Sequence, residues 1–138
     1  MKNGGVQIKK QNRFPYIQEY KKRFPITKDT IFVYKDTIYT DKKEEEFYYD
    51  VVHHEIRHLH QQKEHGADNW INRYINEPEF RLEQEVDAYR YQLKKVLKTT
   101  NDKGEYLNIL TECITNLSSP LYGNIISYAE AERLLKIK

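Results

Sequence analysis

A single cysteine, a single methionine and a single tryptophan occur among 138 residues, with only five glycines and four prolines. Lone Cys113 excludes an internal disulfide, and its apolar-periodic surroundings make it a buried small hydrophobe rather than a nucleophile. No Ser/Gly linker, internal repeat or low-complexity tract divides the chain, so one domain over residues 1–138 is expected. No stretch approaches the length of about 18 apolar residues that a membrane helix needs. The opening "MKNGGVQIKK" has no apolar signal core, and the expectation is a soluble, cytoplasmic protein. Charge of one sign is also missing. The 23 basic and 21 acidic residues leave a net charge of +2, spread without clusters, so no nucleic-acid footprint and no membrane partner is evident.

What the chain has instead is tyrosine. Twelve tyrosines and five phenylalanines supply bulky core material to a chain that is only 38% hydrophobic and 32% charged. "FPYIQEYKKRFP" (14–25) reads as a short helical or irregular piece, and "TIFVYKDTIYT" (30–40) as two short strands or a hairpin about Lys35-Asp36. A helix is expected over 44–66, with acidic Glu44, Glu45 and Glu46 in its first turn and Gly66 at its end. Further helices are expected over 77–98, where Pro78 sits in the first turn, over 103–117, and from Ser127, where Glu130 completes a capping box. Trp70 is expected to anchor the segment linking the first two of these helices. Strands followed by helices predict an α+β domain, a small sheet packed on a helical body.

Four of the five histidines fall within "VVHHEIRHLH" (51–60), and His54 and His58 bracket Glu55 in the spacing H-E-x-x-H. At about 100° per residue these two histidines share a helix face, at the edge of the apolar stripe of Tyr48, Val52, Ile56 and Leu59. His53, Arg57 and His60 point the other way, toward solvent. Imidazoles one turn apart can hold one zinc ion, with Glu55 beside it to take a proton from water. A catalytic zinc needs a third protein ligand as well. The pattern that would recruit a third histidine downstream requires Gly at 61 and His at 64. Gln61 and Glu64 stand there, so His65 is a poor ligand candidate.

The segment "EPEFRLEQEVDAYRYQL" (77–93) offers a better one. Glu83 and Asp87 share one edge of an apolar helix stripe, and Glu85 flanks the opposite edge. A first carboxylate can ligate zinc while a second, one turn on, accepts a hydrogen bond from a ligand histidine. Otherwise Glu83 is a solvated helix carboxylate near Arg90 and Lys94.

These two motifs together resemble the gluzincin class of zinc metallopeptidases. The resemblance covers residues 54–98. It is similar to the small soluble members with a second motif E-x-E-A-[DN]-x-[FY], of the ImmA/IrrE type. It is also similar to the E-x-x-x-D pattern of prenyl-protein endopeptidases, without their membrane helices. The resemblance implies a zincin-like fold whose edge strand, within 30–40, aligns a peptide substrate. It implies zinc held by His54, His58 and Glu83, with Glu55 as general base and Asp87 as acceptor behind a ligand histidine. Val86 stands where the family has alanine. Tyr122 and His65 are loose candidates for a transition-state stabiliser. The function so implied is hydrolysis of a peptide bond in a protein or peptide substrate. An alternative of another class is a zincin-fold structural or binding component of a larger assembly, with zinc as stabiliser. A phage particle is one such assembly, given the Lys/Asn/Ile/Tyr-rich composition, and would make the protein virion-associated.

Overall fold

The computed structural model describes residues 2–3, 5–43 and 49–136. The expected acidic turn Glu44-Glu45-Glu46 and the positions of Phe47 and Tyr48 lie outside the described residues. Strands β1 (Lys2–Asn3), β2 (Val6–Lys9), β3 (Phe32–Tyr34) and β4 (Thr37–Tyr39) form a sheet in the order β1-β2-β4-β3. The expected hairpin is β3–β4, antiparallel with Val33 opposite Ile38, and Lys35 takes up φ 58° in its tight turn. Strand β2 was not expected; it pairs in parallel with β4, Ile8 opposite Ile38. With only four residues and one clearly buried side chain, Val6, it carries too little alternation to be read from the sequence.

The helices are α1 (Ile17–Lys21), α2 (Tyr49–His65), α3 (Ala67–Asn76), α4 (Pro78–Thr99), α5 (Lys103–Leu117) and α6 (Tyr128–Leu135). Helix α3 corrects the expectation of a linking segment over 67–76. Its buried positions Trp70, Ile71, Tyr74 and Ile75 recur at helical spacing, and the amide of Trp70 bonds Gly66 O at 2.8 Å. Gly66, at φ 85°, turns the chain between α2 and α3 in one residue, a conformation that favours glycine. Glu77 likewise separates α3 from α4, and Pro78 opens α4 where a missing amide hydrogen costs nothing. The side chain of Asp102 caps α5, and that of Ser127 accepts from the Glu130 amide at the start of α6, as the capping box predicts.

The core has three parts. An aromatic cluster joins the sheet to α3 and α4 through Phe14, Phe32, Tyr39, Trp70, Tyr74 and Phe80, with Phe14 and Phe32 stacked at 4.4 Å. A second cluster joins α4, α5 and α6 around Leu93, Ile114, Leu117 and Leu135, and includes buried Cys113. A third, Val6, Val33, Ile38 and Leu59, seats α2 on the sheet. Trp70, 2% exposed, is the anchor expected of it. Buried Gln62 of α2 reaches the outer edge of β3, where its side-chain amide donates to Val33 O at 2.9 Å and accepts from the Lys35 amide at 2.8 Å. This bond pair fixes the direction in which α2 runs beside the edge strand.

Candidate metal centre

Helix α2 lies along α4, and the site forms where the two face each other. His54 and His58 are both 4% exposed, one turn apart on α2, with ring centroids 4.8 Å apart and planes at 86°. Glu85, 2% exposed on α4, lies between them. Its Oε1 is 3.0 Å from His54 Nε2 and its Oε2 is 3.1 Å from His58 Nε2. The three residues offer ligand atoms all within 4.8 Å of one another.

This arrangement corrects the expected third ligand. Glu83 is exposed on α4, away from the histidines, and Glu85 takes the place assigned to it. The reason is rotational. On α4 the buried Glu85, Tyr89 and Gln92 all meet His54 of α2, and residues two positions apart on a helix point about 200° apart. The edge of the apolar stripe that meets α2 is therefore the one occupied by Glu85. Asp87 approaches α2 from the flank. It accepts from Arg57 Nε at 2.8 Å and Nη2 at 3.1 Å, and from Gln61 Nε2 at 2.8 Å, so its bonding partners are Arg57 and Gln61 rather than a ligand histidine.

The remaining polar atoms of the triad are also engaged. His54 Nδ1 faces Gln92 Oε1 at 3.1 Å, and His58 Nδ1 faces Gln61 Oε1 at 2.8 Å. Tyr74 of α3 donates to Glu85 Oε2 at 2.5 Å. Gln61 and Gln92 were not picked out from the sequence. The available signal was spacing: Glu85 and Gln92 are two helical turns apart, hence on one face, and Gln61 follows His58 by three.

Electrostatics reinforce the convergence. Burial favours the neutral form of Glu85, but His58 and His54 outweigh it and hold the carboxyl well below the usual range. Burial likewise opposes a charge on His58, yet Glu85, Glu55 and the bond to Gln61 push its pKa up to about 9. Glu55, 8% exposed, has its pKa raised chiefly by burial, with the two histidines pulling the other way.

Two imidazoles and a carboxylate form a donor set that could hold a metal ion. Nitrogen–oxygen separations of 3.0 and 3.1 Å are a few tenths of an ångström below those between neighbouring ligands of tetrahedral zinc, about 3.4 Å for bonds of about 2.0–2.1 Å. The ligand atoms of the triad lie within 4.8 Å of one another, so side-chain adjustments alone could bring them onto one ion.

The triad borders a cavity of about 320 Å³, which Glu55 also lines. Residues Ile31, Phe32 and Val33 of the edge-strand region form one wall, and Tyr89 and Tyr122 stand on another, their hydroxyls 2.7 Å apart. Arg81 pins Tyr122 by donating from Nε to its carbonyl oxygen at 2.9 Å. His65, by contrast, packs edge-on against Phe80 with ring centroids 5.3 Å apart. His60 is exposed, as expected, whereas His53 is half-buried beside Tyr91.

No family model, curated protein or solved structure matches this chain. Among the described residues, no helix is long and apolar enough to cross a membrane.

Proposed function

We propose that this chain is a zinc-dependent metallopeptidase of zincin-like fold that hydrolyses a peptide bond in an extended protein segment. One observation carries the reading: two histidines and a carboxylate converge beside the buried Glu55 of an H-E-x-x-H helix, at a cavity bordered by an edge strand. Two imidazoles and one carboxylate form a ligand set typical of catalytic zinc with a position left open. Held by His54, His58 and Glu85, zinc would supply a Lewis acid that polarises a carbonyl and would lower the pKa of water toward about 7.

The chain's own residues supply the rest. Glu55 takes the proton of the attacking water and passes it to the departing amine nitrogen, and a pKa raised by burial suits it to both duties. With Val33 O taken by Gln62, the backbone at Ile31, just ahead of β3 and lining the cavity, is where an extended segment would pair.

Replacing Glu55 with Gln tests the proposal. The variant is expected to retain zinc and to lose cleavage of a peptide library by about 10²- to 10⁴-fold. Wild-type protein that holds zinc yet cleaves nothing in that library would favour the alternative, a structural or binding component stabilised by its metal.

A further inference from the structure

We propose that Gln61 is a positioning residue that relays the Arg57-clamped carboxylate of Asp87 to His58, setting which ring nitrogen of His58 meets a metal ion. The inference rests on the metal-binding part of the proposed function and not on peptide cleavage.

Gln61 is 6% exposed and its side-chain bonds fix its orientation. The amide nitrogen donates to Gln84 O at 3.0 Å and to Asp87 Oδ2 at 2.8 Å, two acceptors that cannot donate in return. Its oxygen must therefore be the atom turned to His58 Nδ1 at 2.8 Å, and it can only accept there. His58 consequently carries a hydrogen on Nδ1, which leaves Nε2, the nitrogen that faces Glu85 Oε2 beside His54, as the one that meets a metal ion once its own hydrogen is displaced. The far end of the chain is equally determined. Arg57 donates to both oxygens of Asp87, orienting the carboxylate that holds Gln61.

A carboxylate bonded directly to a ligand histidine would fix the same tautomer. Here the amide stands between them, so the negative charge reaches the imidazole through a polarised C–N unit. His54 lacks such a chain to Asp87, its Nδ1 facing Gln92 instead. The two ligand histidines are thus supported differently, and only His58 answers to Asp87. A simpler role for Gln61, tying α2 to α4, would make its loss a matter of fold stability alone.

Zinc affinity of the full chain, measured by competition with a chromophoric chelator, separates these cases. Gln61→Met is expected to weaken zinc binding by about 10- to 100-fold and Asp87→Asn by about tenfold, the range for partners that stand behind metal ligands. The double variant should bind no more weakly than Gln61→Met alone, because Asp87 then has no route to His58. In the zinc-loaded protein, the ¹⁵N-coupled Nδ1 proton of His58 should be sharp and should broaden or shift in Gln61→Met and in Asp87→Asn. Its His54 counterpart should stay in place. Asp87 is partly exposed, so its variant tests the relay even if Gln61→Met fails to fold. Unchanged zinc affinity in Asp87→Asn, or additive losses in the double variant, overturns the relay while leaving the metal site standing. Wild-type protein that binds no zinc overturns both.

Discussion

Tyr74 donates its hydroxyl hydrogen to Oε2 of Glu85 across 2.5 Å, joining α3 to the carboxylate that faces both histidines. Burial raises the Tyr74 pKa well above its ordinary value, and the neighbouring Glu85 charge adds to that, so the hydroxyl remains a donor. Removing it in Tyr74→Phe leaves a buried anion one donor short. A hydrogen bond to a charged group contributes about 1.5–3 kcal/mol, and the metal-free variant should lose that much in urea unfolding. A loss below about 0.5 kcal/mol would mean that Glu85 finds another donor.

The two neighbouring carboxylates of α4 should differ sharply in metal content. Glu85→Gln is expected to reduce zinc from about one equivalent to a small fraction, measured by elemental analysis after dialysis, because a neutral amide is a poor ligand. Glu83→Gln, on the exposed side of the helix, should retain wild-type zinc. The reverse pattern would restore Glu83 as the ligand and refute the geometry of the triad.

The metal-free and metal-loaded proteins should respond to pH with opposite sign. His58 rises from an ordinary 6.5 to about 9 in the folded chain. Stability from its charged form is therefore complete below about pH 6.5 and drains away as pH climbs toward 9. Glu85 is shifted downward, so its contribution is present above its unfolded value near 4.5 and is lost as pH falls below it. Glu55, shifted upward, acts with the same sign as His58: its contribution as the neutral acid is complete below about 4.5 and is lost as pH rises through its raised pKa. Without metal, melting temperature should peak near pH 5–6. Zinc must displace the His58 proton, so apparent zinc affinity should increase from pH 7 toward 9. Melting curves across pH, with and without zinc, would expose a wrong sign in either branch.

Gly123 follows the turn of Tyr122 at φ 87°, where an added Cβ would stand 3.3 Å from Phe24 Cε1 and 3.4 Å from Arg81 Nη2. Both the backbone angle and the contact disfavour alanine. Gly123→Ala should destabilise by about 1–3 kcal/mol in urea unfolding. Because Arg81 holds Tyr122 in place, the variant should also shift the Tyr89–Tyr122 hydroxyl pair. Wild-type stability would imply that the turn relaxes without strain.

Much of this layout is legible in the residues themselves. The helices over 103–117 and from Ser127 coincide with α5 and α6, because Asp102 and Ser127 cap them through their own side chains. The hairpin was readable from its β-branched and aromatic runs. His54 and His58 come together because their spacing is local to one helix. Glu85 was harder. Both edges of the α4 stripe carry carboxylates, and which edge meets α2 depends on how two helices pack, a relation no single-helix pattern contains. Helix α3 escaped for a related reason: its polar face, with Asp68, Asn69, Asn72 and Arg73, reads as a loop until burial of Trp70 and Tyr74 is known.

The amide of Gln62 has a consequence for the whole surface. By occupying Val33 O and the Lys35 amide, it acts as a one-residue counterfeit strand against β3. An exposed sheet margin invites pairing with another molecule of the same kind, and such margins are the usual starting points of aggregation. Here half of that margin is plugged from within by a helix side chain. Ile31, next along that margin, lines the cavity beside His54, His58 and Glu85, so the part of the β3 edge that Gln62 leaves uncovered lies next to the candidate metal site.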